Sequence, residues 1–210
     1  MYSRDFADGI SEEILDMKVT KAQAQANRAH IVETASTLFR ERGYDGVGIA
    51  DLMAAAGFTH GGFYKHFGSK ADLMAEAATC GFAQTATKAE SVDAVEFVKY
   101  YLSREHRDAP GEGCTMAALC ADAARQPESI KTAFSTGFES LLATLANQFG
   151  APKGGKRERD VRATRIEVIA QVVGALVLSR ACPDDAPLAD EILEVCRAAV
   201  LSRLSTPLEA

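Results

Sequence analysis

The residues best suited to a chemical task lie together in the stretch Thr59–Lys70, which reads Thr-His-Gly-Gly-Phe-Tyr-Lys-His-Phe-Gly-Ser-Lys. On a short helix with about 100° per residue, Phe63 and Phe67 share one face, and Gly61–Gly62 and Lys65 share the opposite face. The aromatic pair predicts an anchor in a small core. The outward face combines bare backbone with hydroxyl, imidazole and ammonium groups, which are donors that contact phosphates and base edges.

The two adjacent glycines are unusual on the exposed face of a helix. Each costs about 1 kcal/mol relative to alanine. Bare backbone, however, allows a large partner to approach closely. A phosphate backbone and a major groove fit the basic and aromatic neighbours, whereas the alternative is a loop that happens to contain Gly-Gly.

The flanking residues predict the elements that position this stretch. Ile49–Ala56 reads as a helix of about two turns, and Gly57 can end it with a positive φ. Thr59 is a candidate N-cap for the next short helix. Ser69–Asp72 is a capping box that opens a third helix. The pattern predicts a helix-turn-helix followed by a long helix.

This pattern resembles the N-terminal DNA-binding domain of the tetracycline-repressor (TetR) family over roughly residues 18–75. The residues that carry the resemblance recur in order at fixed spacing, and they are Arg28, Ile31, Ala35, Leu38–Phe39, Gly43–Tyr44, Asp51–Leu52, Ala56–Gly57, Tyr64, His66–Phe67 and Ser69–Lys70. The chain departs from the family at Val47–Gly48 and at Gly62, where Thr or Ser is common, and at His60, where Lys is common.

The motif and the resemblance together imply a double-stranded DNA operator as partner. The residues expected to contact it are Thr59, His60, Gly61, Gly62, Tyr64, Lys65, His66, Lys70, Gly48 and Arg28. Tyr64 and Lys70 are assigned to phosphates, while Lys65 could reach a guanine edge and His60 a base. For the basic residues the alternative is a solvated surface charge.

The distribution of charge agrees with this assignment. The chain of 210 residues has a net charge of −6. Residues 1–17 carry −4, residues 71–210 carry −5, and residues 18–70 carry seven basic against four acidic side chains, or +3. The positive segment is therefore the proposed DNA-binding one, as a phosphate partner requires.

Several other classes of protein are disfavoured by the sequence. No apolar run approaches the ~20 residues of a membrane helix, and the acidic start is unlike a signal peptide, so we expect a cytoplasmic protein without a membrane partner. The five cysteines are dispersed and the four histidines have no zinc spacing with them. No phosphate loop, nucleophile elbow or triad indicates an enzyme. We expect no catalytic residue, no metal and no cofactor.

The whole chain reads as all-α, with about nine helices and no repeat. We divide it into an acidic leader (1–17) with loose packing or disorder, a helix-turn-helix domain (18–68), and an effector-binding and dimerisation domain (69–210). Further helices are predicted at Lys21–Arg42, Ala71–Thr87, Ser91–Arg104, Cys114–Arg125, Glu128–Phe149, Arg157–Arg180 and Leu188–Leu204. Loops are predicted at His106–Gly113, Ala151–Lys156 and Pro183–Pro187.

The resemblance implies a small effector held among the middle helices and a homodimer formed by the last two. The candidate lining is aromatic and rich in sulfur, which suits an apolar or aromatic effector, and comprises Phe82, Tyr100, Tyr101, Cys114, Met116, Cys120, Phe134 and Phe138. The alternative is that these residues are simply core. Arg157–Arg180 is apolar almost all round at Val168–Leu178, which favours a partner subunit as cover, with Leu188–Leu204 beside it. Intrachain packing is the alternative.

Two other functions remain open from the sequence. Cys114 follows Gly113 at a helix start, where the helix dipole lowers a thiol pKa, so Cys114 or Cys120 could sense oxidants or electrophiles. A helical adaptor that binds another protein would instead show no salt-dependent affinity for DNA.

Overall fold

The computed structural model describes residues 5–148 and 156–205, with side chains for 21–145 and 159–204. This part of the chain forms nine α-helices and two 3-10 helices and contains no strand. The α-helices are α1 (Asp5–Arg42), α2 (Ile49–Ala55), α3 (Lys70–Glu90), α4 (Ala94–Tyr101), α5 (Arg104–Asp108), α6 (Thr115–Ala123), α7 (Glu128–Gln148), α8 (Lys156–Arg180) and α9 (Pro187–Ser205). The 3-10 helices are His60–Lys65 and Pro110–Glu112. The prediction of an all-α fold is confirmed.

The first helix is longer than the sequence predicted. It begins at Asp5 instead of Lys21, so the backbone of the acidic leader is helical from Asp5 onward. The leader was predicted to be disordered or loosely packed because the first residues of a chain often are. It lacks proline and contains one glycine, Gly9, so little interrupts a helix. Most of the predicted loop at 151–156 and residues 1–4 lie outside the described residues.

A first apolar core joins the helix-turn-helix elements to the helices that follow. Its fully buried side chains include Ile31 and Phe39 of α1, Leu52 of α2, Phe63 of the first 3-10 helix and Leu73 of α3. Burial of each such side chain contributes about 1.5–3 kcal/mol relative to leaving it in water. Left-handed glycines make the sharp turns that bring these elements together, with φ of +73° at Gly43 and +80° at Gly57. The turn at Gly57 was predicted.

A second apolar core lies among α3, α4, α6, α7, α8 and α9. Three helices contribute to both cores. Helix α3 gives Leu73 to the first core and Phe82 to the second, α6 gives Leu119 and Met116, and α7 gives Ile130 and Leu141. Helices α3, α6 and α7 therefore connect the DNA-binding elements to the C-terminal helices.

The segment His106–Gly113 was predicted to be a polar loop, and this prediction was wrong. It contains the end of α5 and the 3-10 helix Pro110–Glu112, and His106 and Arg107 are buried. The Arg107 guanidinium donates to the carbonyls of Ser179 and Cys182, while Arg180 donates to the carbonyls of His106 and Arg107. The polar side chains that indicated a surface loop instead satisfy backbone carbonyls inside the domain.

Candidate DNA-binding surface and effector cavity

The predicted recognition element is a 3-10 helix, His60–Lys65, and not the α-helix on which the sequence argument relied. Two glycines in the segment explain the difference, because they remove the side-chain contacts that favour the wider α-helix. The predicted aromatic anchor is present nevertheless. Phe63 is fully buried, Phe67 is buried just after the helix, and their ring centroids lie 5.4 Å apart.

The opposite side of this helix is open. Thr59, His60, Gly61 and Lys65 are exposed, and Tyr64 is 65% exposed. A Cβ added at Gly61 would meet no atom within 4 Å, and at Gly62 its nearest neighbour would be Met53 Cε at 3.5 Å, an ordinary contact. Neither glycine has a positive φ, because the positive values in the described residues occur at Gly43 and Gly57. The fold itself therefore does not require glycine at these two positions.

Thr59 and Gly48 occupy N-cap positions, as predicted for Thr59. Neither makes a side-chain hydrogen bond to its helix, so both helices begin without side-chain capping. Ser69, in contrast, caps α3 by accepting a hydrogen bond from the Asp72 amide at 3.1 Å. The recognition element is held mainly by its buried aromatics and the α3 N-cap.

Two predicted phosphate contacts are engaged within the protein. The Lys70 ammonium donates to the Tyr44 carbonyl at 2.6 Å. Arg28 forms a two-bond ion pair with Glu76, donates to the His66 carbonyl at 3.3 Å and lies 4.7 Å over the ring centroid of Phe67. Both side chains thus tie α3 to the elements before it. Their contact with DNA stays a prediction, and it would require these bonds to be shared or broken.

The eight residues predicted to line an effector pocket do not line one cavity. An apolar cavity of about 50 Å³ lies among the C-terminal helices, and of the predicted set only Tyr101 and Met116 line it. The remaining walls come from α3, α4, α7, α8 and α9, namely Thr85, Ala94, Phe97, Val98, Leu141, Leu145, Val168, Ile169, Val172, Val173 and Leu204. The sequence argument had assigned α8 to a subunit interface, so it missed this contribution. The apolar run at 168–173 was the signal that could have shown it.

Five of the other six predicted pocket residues lie around two further recesses. Tyr100 and Cys114 line a recess of about 20 Å³ that shares Tyr101 with the cavity. Cys120, Phe134 and Phe138 line an open groove of about 370 Å³ between α6, α7 and α8. Phe82 lies outside these three recesses, where its ring packs on Phe134 with centroids 5.3 Å apart.

Two of the cysteines have surroundings that disfavour a reactive thiol. Desolvation by neighbouring groups raises the pKa of Cys120 to about 11 although the residue is exposed at the surface, with a smaller contribution from Cys114, and partial burial raises the pKa of Cys80. A raised pKa lowers the fraction of reactive thiolate at neutral pH. Cys114 is the N-cap of α6 and is buried, and its amide donates to His106 Nε2 at 3.1 Å.

Neither a membrane-spanning helix nor a cluster of metal ligands occurs among the described residues. None of their helices is long and apolar enough to cross a membrane. No group of three or more His, Cys, Asp or Glu side chains in this part of the chain could hold a metal ion.

Comparison with known proteins places this arrangement in a family. Residues 31–77 match the model of the bacterial regulatory proteins of the tetR family. The HTH-type transcriptional regulator AcrR of Shigella flexneri is 40% identical over 57 residues, which are 27% of this chain and 26% of AcrR. The chain thus matches about a quarter of the length of this relative.

Solved structures extend the similarity of fold to most of the chain. The reduced form of E. coli NemR aligns with a TM-score of 0.67 and 20% identity, over 88% of this chain and 100% of NemR. AibR, solved in complex with isovaleryl coenzyme A and operator DNA, aligns with a TM-score of 0.53 and 18% identity, over 82% of this chain and 97% of AibR.

The all-α fold and an N-terminal helix-turn-helix are the features that this chain shares with these regulators of transcription. Over residues 31–77 the chain matches the helix-turn-helix domain of the tetR family of bacterial regulatory proteins, and over most of its length it shares the fold of the solved structures named above. That family consists of regulators of transcription and not of enzymes.

Proposed function

We propose that this regulator works as a homodimer that represses transcription by binding a palindromic DNA operator. In this proposal each subunit inserts the 3-10 helix His60–Lys65 into a major groove. A small apolar or aromatic effector binds among the C-terminal helices and releases the protein from DNA.

The observation that carries the DNA-binding proposal is the bare surface at Gly61 and Gly62. The fold has room for a side chain at Gly61, and glycine in a helix costs about 1 kcal/mol relative to alanine. Stability therefore does not explain the glycine. A partner that approaches the backbone closely does explain it, and the exposed Tyr64 and Lys65 beside it provide donors suited to DNA.

The homodimer is supported by apolar side chains that the single chain leaves exposed on its last two helices. Leu178 of α8 is 60% exposed, and Leu188 and Val195 of α9 are 54% and 61% exposed. Burial of this face by a second copy through 157–180 and 188–204 would remove it from water. A dimer would also present two recognition elements, as a two-fold operator with half-sites about 34–36 Å apart requires.

The effector proposal rests on the apolar cavity and its position. No charged side chain lines it, so an uncharged, apolar ligand fits its chemistry. Its volume of about 50 Å³ is small, so a larger ligand would require the surrounding helices to move apart. AibR, which shares the fold, was solved with both an acyl coenzyme A and operator DNA.

The experiment begins with selection of bound fragments from the source genome by the wild-type protein, followed by salt titrations of affinity. Gly61→Ala should leave the free energy of unfolding unchanged or higher, yet weaken operator binding at least tenfold because its methyl group occupies the contact surface. Lys65→Ala should flatten the salt slope by about one unit if Lys65 meets a phosphate. Relaxed sequence preference with an unchanged slope would indicate a base contact.

Lys99→Ala is the matched control for charge. Lys99 lies on α4, is exposed and pairs with Glu96 at 2.7 Å, so its loss should leave the salt slope unchanged. Binding of Gly61→Ala at wild-type affinity would refute the role assigned to this surface. Weak and sequence-independent binding by the wild-type protein would favour a protein-binding adaptor instead.

A further inference from the structure

The turn between α1 and α2 is held at one residue by side chains from two other helices. The Tyr44 amide donates to Asp122 Oδ2 of α6 at 3.1 Å, and the Tyr44 carbonyl accepts from Lys70 Nζ of α3 at 2.6 Å. The Tyr44 side chain is fully buried and packs against Phe39, with ring centroids 5.1 Å apart. Both backbone polar groups of Tyr44 are therefore bonded through contacts distant in sequence.

Gly43 makes room for this contact. Its φ of +73° is in the left-handed region, and a Cβ at this position would lie 2.6 Å from Asp122 Oδ2. Any other residue would strain the backbone and push the carboxylate away. The turn is thus shaped to accept the side chain of α6.

The position of Asp122 is not explained by the stability of its own helix. It lies in the last turn of α6, where the helix dipole disfavours a negative charge. Its carboxylate bonds outward, to the Tyr44 amide and to Arg125 at 2.8 Å. Arg125 is largely exposed, so the contact that links Asp122 to the rest of the fold is the one with Tyr44.

Helix α6 reaches both functional regions. Met116, near its start, lines the effector cavity, and Leu119 and Ala123 belong to the core of the DNA-binding domain. The turn that Asp122 contacts leads directly into α2, the first helix of the helix-turn-helix. A displacement of α6 would therefore act on that turn through a specific hydrogen bond.

We infer that Asp122 is a positioning residue for DNA binding, which fixes the turn before α2 relative to the helices around the effector cavity. This inference rests on the proposed function and names the contact through which the C-terminal helices set the position of the recognition element. Asp122 itself needs no contact with DNA.

The test compares Asp122→Ala with Asp122→Asn in the full chain. Both variants remove the negative charge, but asparagine keeps an oxygen that can accept from the Tyr44 amide. We expect Asp122→Ala to weaken affinity for the selected operator fragment about tenfold with an unchanged salt slope, since no phosphate contact is lost. Asp122→Asn should stay within about twofold of wild type. Equal affinities for the two variants, or tighter binding by both from lost repulsion, would overturn the inference.

A second measurement separates this inference from the proposed function. Hydrogen exchange at the Tyr44 amide is followed in the DNA-free protein, where Asp122→Ala should speed exchange about tenfold and Asp122→Asn should not. Unchanged exchange in Asp122→Ala would overturn the inference even if the wild-type protein binds its operator normally. Failure of the proposed function shows separately, as absence of operator binding by the wild-type protein.

Discussion

His106 is buried in the C-terminal domain between a backbone carbonyl and a backbone amide. One ring nitrogen must therefore donate a hydrogen bond and the other must accept one. Its Nδ1 lies 2.7 Å from the Tyr101 carbonyl, and its Nε2 accepts from the Cys114 amide at 3.1 Å. The neutral ring with a proton on Nδ1 satisfies both bonds, whereas a protonated ring could not accept at Nε2. Burial lowers the pKa of His106 from 6.5 to about 4.

This pKa predicts a loss of stability in acid. Between pH 6.5 and about 4 the unfolded chain binds more protons than the folded chain at this histidine, so the free energy of unfolding falls as the pH falls. The full effect is about 3 kcal/mol. Urea unfolding at pH 7 and pH 4.5 should show a smaller difference for His106→Gln, which does not titrate, than for wild type. An equal difference in the two proteins would contradict this account.

At single residues, the sequence predicted exposure at the surface better than it predicted internal bonds. The exposure of Lys65 follows from its place opposite two aromatics in a short helix. The partners of Lys70 and Arg28 could not be predicted, because the Tyr44 carbonyl and Glu76 lie 26 and 48 residues away in sequence. From sequence alone, a basic residue in a DNA-binding motif that contacts a phosphate cannot be distinguished from one that bonds to the protein itself.

At the scale of elements, side chains of α1 and α6 come close to α3 at Gly81. A Cβ at Gly81 would lie 2.7 Å from Arg40 Nη1, 3.0 Å from Ser36 Oγ and closer still to Thr115 Oγ1. The contact is polar and buried, since Ser36 donates to the Ala77 carbonyl at 2.9 Å and Arg40 to Ser36 at 2.7 Å. It lies where the two apolar cores adjoin.

Gly81→Ala tests how tightly these helices pack. Helix propensity alone predicts that alanine within α3 raises the free energy of unfolding by about 1 kcal/mol. Crowding where the helices cross predicts that it lowers this free energy by about 1–3 kcal/mol. We expect the decrease, and urea unfolding measures it. Thr115→Ala in the same chain should recover part of it, because it removes the nearest atom. The control is Gly61→Ala, because its added methyl group would have no neighbouring atom within 4 Å and should not lower the free energy of unfolding. A higher free energy of unfolding in Gly81→Ala than in wild type would mean that the helices can move apart at little cost.

The elements that the sequence predicted well are those with a strong local signal. Helices α2, α3 and α7 follow apolar periodicity, and their ends follow glycine, proline and capping residues. The errors arose where tertiary contacts decide. The segment 104–112 is ordered by bonds to α8 and α9 residues far along the chain, and the recognition helix adopts a 3-10 form that its spacing alone does not distinguish from an α-helix.

At the scale of the whole molecule, the proposed dimer can be tested by substitutions that should change the oligomeric state but not the stability of the single chain. Leu178→Glu and Val195→Glu place a charge on exposed apolar positions of α8 and α9. Within one chain these side chains are largely in water, so the substitutions should change its unfolding little. In a dimer each charge would be buried in the interface, which is strongly unfavourable. Sedimentation should therefore show a shift from dimer to monomer.

Val92→Glu separates an interface effect from a general effect of added charge. Val92 is also an exposed apolar residue, at 44%, but it lies between α3 and α4 and outside the proposed interface. We expect this variant to sediment as wild type does. Because two linked recognition elements are needed for a two-fold site, Leu178→Glu should also lose most operator affinity, while Val92→Glu keeps it. A Leu178→Glu protein that remains dimeric and binds its operator would place the subunit interface elsewhere on the molecule.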